Sequence, residues 1–332
     1  MIMRGKPTVV DTLRSRRLFM ILSPRSLSYA TKCVESLFTK AAEHLDIYFM
    51  TDSAADKGEL TDVIGKLPNP AGHRWRVVDA SDAEVCASEQ WAGLPNLRTF
   101  RRGHPCWRKV TDPLLFSGTN EEMVILDPDL YFPNRFTFEP TPETGIRLMW
   151  QQPNCMLPPS TVHTALSASI ALARHVDIGV AQWRANQDLE WFDWMIGKLG
   201  GAELPRVMHV ESIVWSALAM RLGGGHLDPE KWCCWRRTQL ARILLKAGVS
   251  GVNILRGQPF SQMKCFHAGG EAKWWLADAQ RVGLLDHSGE LLDSSRVLPF
   301  VELTPLRFDL EQSVKVLLRQ LGYYRVFHPS TN

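Results

Sequence analysis

Apolar positions recur along this chain in two rhythms. Near the N-terminus a short continuous run, Leu18 to Leu22, ends at Ser23-Pro24, the mark of a buried strand stopped by a turn. Ala30, Cys33, Val34, Leu37, Phe38 and Ala41 then fall at helical spacing. They predict a helix with one apolar face, capped by Ser26 and ending near Glu43. Asp46 to Met50 predicts a second strand, closed by the turn-rich Thr51-Asp52-Ser53. A helix over Gly58 to Leu67 and a strand from Arg74 to Asp79 complete a βαβαβ order. That order predicts a parallel, doubly wound sheet, whose ligands sit beyond the carboxyl ends of its strands.

Residues 81–107 read as irregular, followed by a helix from Lys109 to Phe116. Met123-Val124-Ile125-Leu126 reads as a buried central strand running into Asp127-Pro128-Asp129. Ile146 to Trp150 and Ile178 to Trp183 are further strands, separated by the proline-rich polar stretch Gln152 to Ser160, a candidate substrate loop. Residues 211–222 predict a helix ended by Gly223-Gly224-Gly225. Val252 to Leu255 and Met263 to Phe266 read as late strands, and Leu310 to Leu321 as a last helix stopped by Gly322. The pattern contains no internal repeat, low-complexity tract or clear linker.

Composition narrows the function classes. With 332 residues, 45% hydrophobic and 22% charged, the chain can bury a large α/β core. A net charge of +3, from 38 basic and 35 acidic residues, argues against a nucleic-acid partner. No run approaches the ~20 apolar residues of a membrane span, and Met1 to Arg17 is basic and polar, without the apolar core of a signal peptide. Seven cysteines lie scattered without metal spacing, which suits buried thiols in a reducing, cytoplasmic setting. The twelve tryptophans serve either core packing or a cleft that stacks on sugar faces. The stretch Thr238 to Ala247 sets Arg242 and Lys246, beside Arg236 and Arg237, against Leu240, Ile243 and Leu244. It fits an ordinary amphipathic helix, or peripheral contact with an anionic inner-membrane face.

Two segments carry chemistry. Asp127 and Asp129, two residues apart where an apolar strand ends, can aim two hard oxygen ligands at one Mg²⁺ or Mn²⁺. Far along the chain, His267-Ala268-Gly269-Gly270-Glu271-Ala272-Lys273-Trp274-Trp275 offers a nitrogen ligand, glycines that let backbone approach phosphate, and an ammonium. Taken singly, each has an ordinary reading: turn carboxylates flanking a proline, a core histidine, a surface lysine.

Together they resemble the family 8 retaining glycosyltransferases. That family has an Asp-x-Asp after a central strand and a late His-x-x-Gly-x-x-Lys-Pro-Trp. His267, Gly270, Lys273 and Trp275 match the late motif, and Trp274 stands where the family has proline. The resemblance implies a GT-A type fold: α/β, with a Rossmann-like, mostly parallel sheet flanked by helices and a C-terminal helical extension. It implies a catalytic domain over 1–276, split into a nucleotide-binding half (18–135) and an acceptor half (136–276), with 277–332 packed on it. It implies metal ligation by Asp127, Asp129 and His267, and diphosphate contact by Gly270 and Lys273. Lys109, with Arg108 beside it, matches a basic residue that contacts donor sugar and phosphate. Ser23, Pro24 and Tyr29 occupy the nucleotide segment, where only Tyr29 keeps the family's residue. Asp177-Ile178-Gly179 stands where the family has Asn, a small residue and Gly; Glu211-Ser212 stands where it has Asp-Gln. Asp177 and Glu211 are therefore candidate catalytic groups that orient sugar hydroxyls or support an oxocarbenium-like state. The expected activity is hexosyl transfer, with retention, from a nucleoside diphosphate sugar (UDP by default) to a glycan or glycolipid hydroxyl. The alternative is a catalytically degenerate protein of the same fold that binds a nucleotide sugar or glycan. A phosphatase would carry its Asp pair after the first strand, and a nucleotidyltransferase would want a glycine-rich basic loop where Ser23-Pro24-Arg25 lies.

Overall fold

The computed structural model describes residues 15–327. Thirteen strands form in chain order: β1 (Arg16–Ile21), β2 (Leu45–Met50), β3 (Arg74–Val78), β4 (Glu122–Leu126), β5 (Leu130–Tyr131), β6 (Arg135–Phe136), β7 (Ile146–Trp150), β8 (Val176–Arg184), β9 (Gly224–Leu227), β10 (Trp232–Cys234), β11 (Cys265–His267), β12 (Glu290–Leu291) and β13 (Val297–Pro299). Eight of them make the main sheet, in the order β13-β9-β7-β8-β4-β1-β2-β3. The half β4-β1-β2-β3 is parallel throughout, as the βαβαβ pattern predicts. β8 joins it antiparallel to β4.

Every residue of β2 is buried, as befits a strand covered on both faces. On one face Ala30, Cys33, Val34, Leu37 and Phe38, from the helix Leu27–Lys40, pack in one cluster with Leu18, Met20 and Phe49. Burying each of the larger side chains stabilises the fold by about 1.5–3 kcal/mol. Another cluster gathers Trp91, Phe100, Trp107, Trp183 and Trp215, all at most 1% exposed. Most of the buried tryptophan therefore packs the core.

Several local expectations change. Residues 81–107 are largely helical, in Ala80–Gln90 and Pro95–Gly103. Asp79 and Asp82 form a capping box at the start of the first, and Pro95 opens the second. Each is too short for a strong apolar period, but the cap signals were present. Val252 to Leu255 lies in the helix Gly251–Leu255, capped by Ser250, because a few apolar residues do not distinguish strand from helix. Ser26 makes no side-chain cap; its hydroxyl donates back to the Ser23 carbonyl at 2.7 Å. The last helix starts earlier, at Pro305, after the cap Thr304. Residues beyond 276 are not helices alone: β12 pairs with β6, and β13 extends the main sheet beside β9. No helix among the described residues is long and apolar enough to cross a membrane.

The small sheet β10-β11-β5 positions the site. β5 starts directly after Asp129, and β11 runs antiparallel to it with His267 opposite Leu130. The Ala268 amide donates to the Asp129 carbonyl at 2.9 Å, which locks that register.

Candidate metal and donor site

Asp127 leaves the end of β4 with its amide donating to the Gly179 carbonyl on β8 at 2.9 Å. Asp129 follows one proline later, and β11 delivers His267 from the other side. His267 Nε2 stands 3.2 Å from Asp129 Oδ1 and 3.8 Å from Asp127 Oδ2. A divalent cation about 2.1 Å from each of its ligands needs donor atoms within about 4.3 Å of one another. Both His267–carboxylate distances fall inside that limit, all three donors lie within 4.8 Å of one another, and oxygen and imidazole donors suit Mn²⁺ or Mg²⁺.

The back of the imidazole is also fixed. His267 Nδ1 shares a 2.8 Å hydrogen bond with Asp177 Oδ1. The same carboxylate oxygen accepts the Gly179 amide at 2.9 Å. A carboxylate behind a ligating histidine sets its tautomer and ring orientation. Gly179 follows from this packing, since a Cβ there would lie 2.6 Å from His267 Nδ1. Cys234 Sγ lies 4.0 Å from the same nitrogen. Asp177, Cys234 and His267 thus form a second buried cluster that shares the histidine.

Lys109 joins the carboxylates of two elements. Its ammonium donates to Asp127 Oδ1 at 2.6 Å and lies 3.0 Å from Glu211 Oε1, on the helix Val210–Leu222. Lys273 Nζ lies 3.6 Å from Asp129 Oδ2 and 4.8 Å from the centre of the Tyr29 ring. Tyr29 meets Trp274 edge to face, with centroids 5.2 Å apart. Gly270 takes a left-handed φ of +66°, a conformation glycine adopts without strain, and so turns the chain between His267 and Lys273. Ser23 and Pro24 form the turn after β1 that starts the helix carrying Tyr29.

The electrostatics are those of carboxylates in excess. Burial pushes Glu211 up to about 8, and Lys109 only partly offsets it. Asp127 is likewise raised by burial. Burial works against the charge on Asp129 too, but His267 and Lys273 outweigh it and bring Asp129 down to about 2. Burial opposes charge on His267, yet Asp177 and Asp129 hold its pKa well above the ordinary value. Glu211 Oε2 is buried without a hydrogen-bond partner. Such an arrangement is costly unless cationic or hydrogen-bonding groups complete it.

No family model matches this sequence, and no curated protein matches it. Solved structures do share its fold. The apo structure of mouse xyloside xylosyltransferase 1 superposes with a TM-score of 0.50 at 11% identity, over 78% of this chain and 99% of that one. The fold is of the GT-A type. A galactosyltransferase in complex with donor and acceptor sugar analogues aligns at TM-score 0.45 and 11% identity, over 82% of this chain and 97% of that one. A Streptococcus pneumoniae glycosyltransferase aligns at 0.44 and 13%, over 96% and 66%. Within this GT-A fold the structure brings together Asp127, Asp129, His267, Lys109, Glu211 and Lys273, which come from five separate elements or turns. Asp177 faces the histidine. Cys234 gave no sequence signal, because its neighbour Cys233 and the absence of metal spacing made it look like an ordinary thiol. The basic side chains of the helix Gln239–Lys246 are engaged by the C-terminal segment: Arg242 donates to the Tyr323 hydroxyl at 3.1 Å and Lys246 to the Val326 carbonyl at 2.9 Å.

Proposed function

We propose that this chain is a divergent, metal-dependent glycosyltransferase resembling family 8, which moves a hexosyl group from a nucleoside diphosphate sugar to a hydroxyl acceptor with retention. One observation carries the reading: Asp127, Asp129 and His267 converge within 4.8 Å at the sheet's carboxyl edge, with a lysine 3.6 Å from Asp129. A divalent cation bound there would neutralise a diphosphate and favour its departure. Lys273 adds a second positive charge on the side open to the donor. Lys109 holds Asp127 in place, and Asp177 fixes the orientation of His267. In the transfer, the acceptor oxygen bonds to the anomeric carbon while the bond from that carbon to the diphosphate oxygen breaks. The acceptor proton passes to the departing diphosphate, so no strong protein base is required. Glu211, buried beside Lys109, supports positive charge developing on the sugar.

The test is thermal unfolding with UDP, GDP and their sugar conjugates, each with and without Mn²⁺. A ligand that binds only the folded state raises the melting temperature. The expected result is a rise of several degrees that needs nucleotide and Mn²⁺ together and disappears in His267→Ala. A folded wild-type protein that responds to none of these pairs would overturn the donor-site reading.

A further inference from the structure

A groove outside this site is built for a different kind of ligand. It encloses about 490 Å³ between the helix Pro305–Gln320, the Gln152–Asn154 loop and His175, a volume typical of small-molecule sites. One wall is apolar: Leu310, Val314 and Leu318 lie at helical spacing along it. Leu310 is 60% exposed and Val314 49%, so among the described residues this wall is largely unpartnered. Arg242, Arg307 and Lys315 also line the groove, against the single carboxylate of Glu311. Glu311 already accepts from Asn154 at 2.9 Å and Arg307 at 3.3 Å. Lys315 has no ion-pair partner among the described residues. Two positive charges in excess beside an apolar wall match a phosphate dianion on an apolar body better than a neutral or singly charged one.

The groove borders the strand that carries Asp177: His175, in its lining, turns with a left-handed φ of +60° directly into β8, whose second residue is Asp177. Cys155 follows Asn154 on the same loop and feels charges from both places, Lys315 in the groove and Asp177 and His267 at the centre. Burial raises its thiol pKa, Asp177 raises it further, and Lys315 and His267 oppose. We propose that the groove is the acceptor site and takes an anionic amphiphile, an apolar chain or aglycone bearing a phosphate. The apolar part lies along Leu310 and Val314, and the phosphate sits between Arg242, Arg307 and Lys315. This deepens the glycosyltransferase reading and rests on it for the word acceptor; the binding itself does not.

The experiment is calorimetric titration of the full chain with decyl phosphate, decyl maltoside and inorganic phosphate, all below micelle-forming concentrations. Decyl phosphate is expected to bind at least about tenfold more tightly than either of the others. The double variant Arg307→Ala, Lys315→Ala should weaken it by about tenfold or more, as should Leu310→Asp at an exposed position. Both variants should keep the nucleotide- and Mn²⁺-dependent thermal shift. Equal binding of decyl maltoside, or unchanged binding in both variants, overturns the proposal. So does binding to anionic vesicles without binding of monomeric decyl phosphate, which would mark a membrane-facing surface. Retained decyl phosphate binding in a protein with no nucleotide shift would overturn the donor-site reading alone.

Discussion

Two buried lysine–glutamate pairs in this molecule sit in opposite circumstances. Lys264 and Glu139 are 2.9 Å apart and at most 1% exposed. Glu139 also accepts from Trp232 Nε1 and from the Ser295 amide and hydroxyl. Burial works against its charge, but those donors outweigh burial and lower its pKa. Lys109 and Glu211 are 3.0 Å apart and also buried, yet Lys109 is shared with Asp127, and Glu211 keeps an unpartnered oxygen. Its pKa rises to about 8. The first pair is saturated by its own neighbours and belongs to the architecture. The second is short of positive charge, which is consistent with the cation binding proposed for it.

The largest effect should separate the centre around the second pair from the first pair on activity. Asp129→Ala is expected to cut metal-dependent turnover about a thousandfold or more while leaving the circular dichroism spectrum unchanged. Wild-type kinetics in that variant would return the centre to the structural class. On stability the order reverses. Glu139→Ala strands the Lys264 ammonium and should cost about 3–5 kcal/mol by denaturant unfolding; a loss under 1 kcal/mol would show that the pair is not saturated as described. Asp177→Asn should weaken Mn²⁺ binding about 10–100-fold by direct titration, with little change in melting temperature. An unaltered metal affinity would detach Asp177 from His267.

The smallest effect concerns pH. Glu211 titrates near 8 in the folded metal-free protein, against an ordinary 4.5. The folded state therefore keeps a proton that the unfolded state releases between those values. Its contribution is complete below about pH 4.5 and is lost as pH rises toward 8. Glu211→Gln should flatten the fall in stability across that window. An identical slope in wild type and variant would show that Glu211 ionises normally.

Much of this was legible in the chain. The βαβαβ alternation of the first 80 residues, the strand running into Asp127, and the spacing of His267, Gly270 and Lys273 are local patterns, and each survives in the fold. The short helices within 81–107 were missed because they carry caps without a long apolar period. The strand contributed by Val297–Pro299 was missed because an edge strand of three residues leaves almost no periodic signal. What only the tertiary structure decided is partnership. Backbone pairing of β5 with β11 sets Asp129 against His267, and β8 brings Asp177 behind the imidazole. That Glu139 is saturated and Glu211 left wanting depends on lysines that are remote from them in the chain. Secondary structure follows from short-range sterics and burial, which a sequence displays directly. The charge balance of a site follows from distances of about 3–4 Å between remote segments, which only the folded chain establishes.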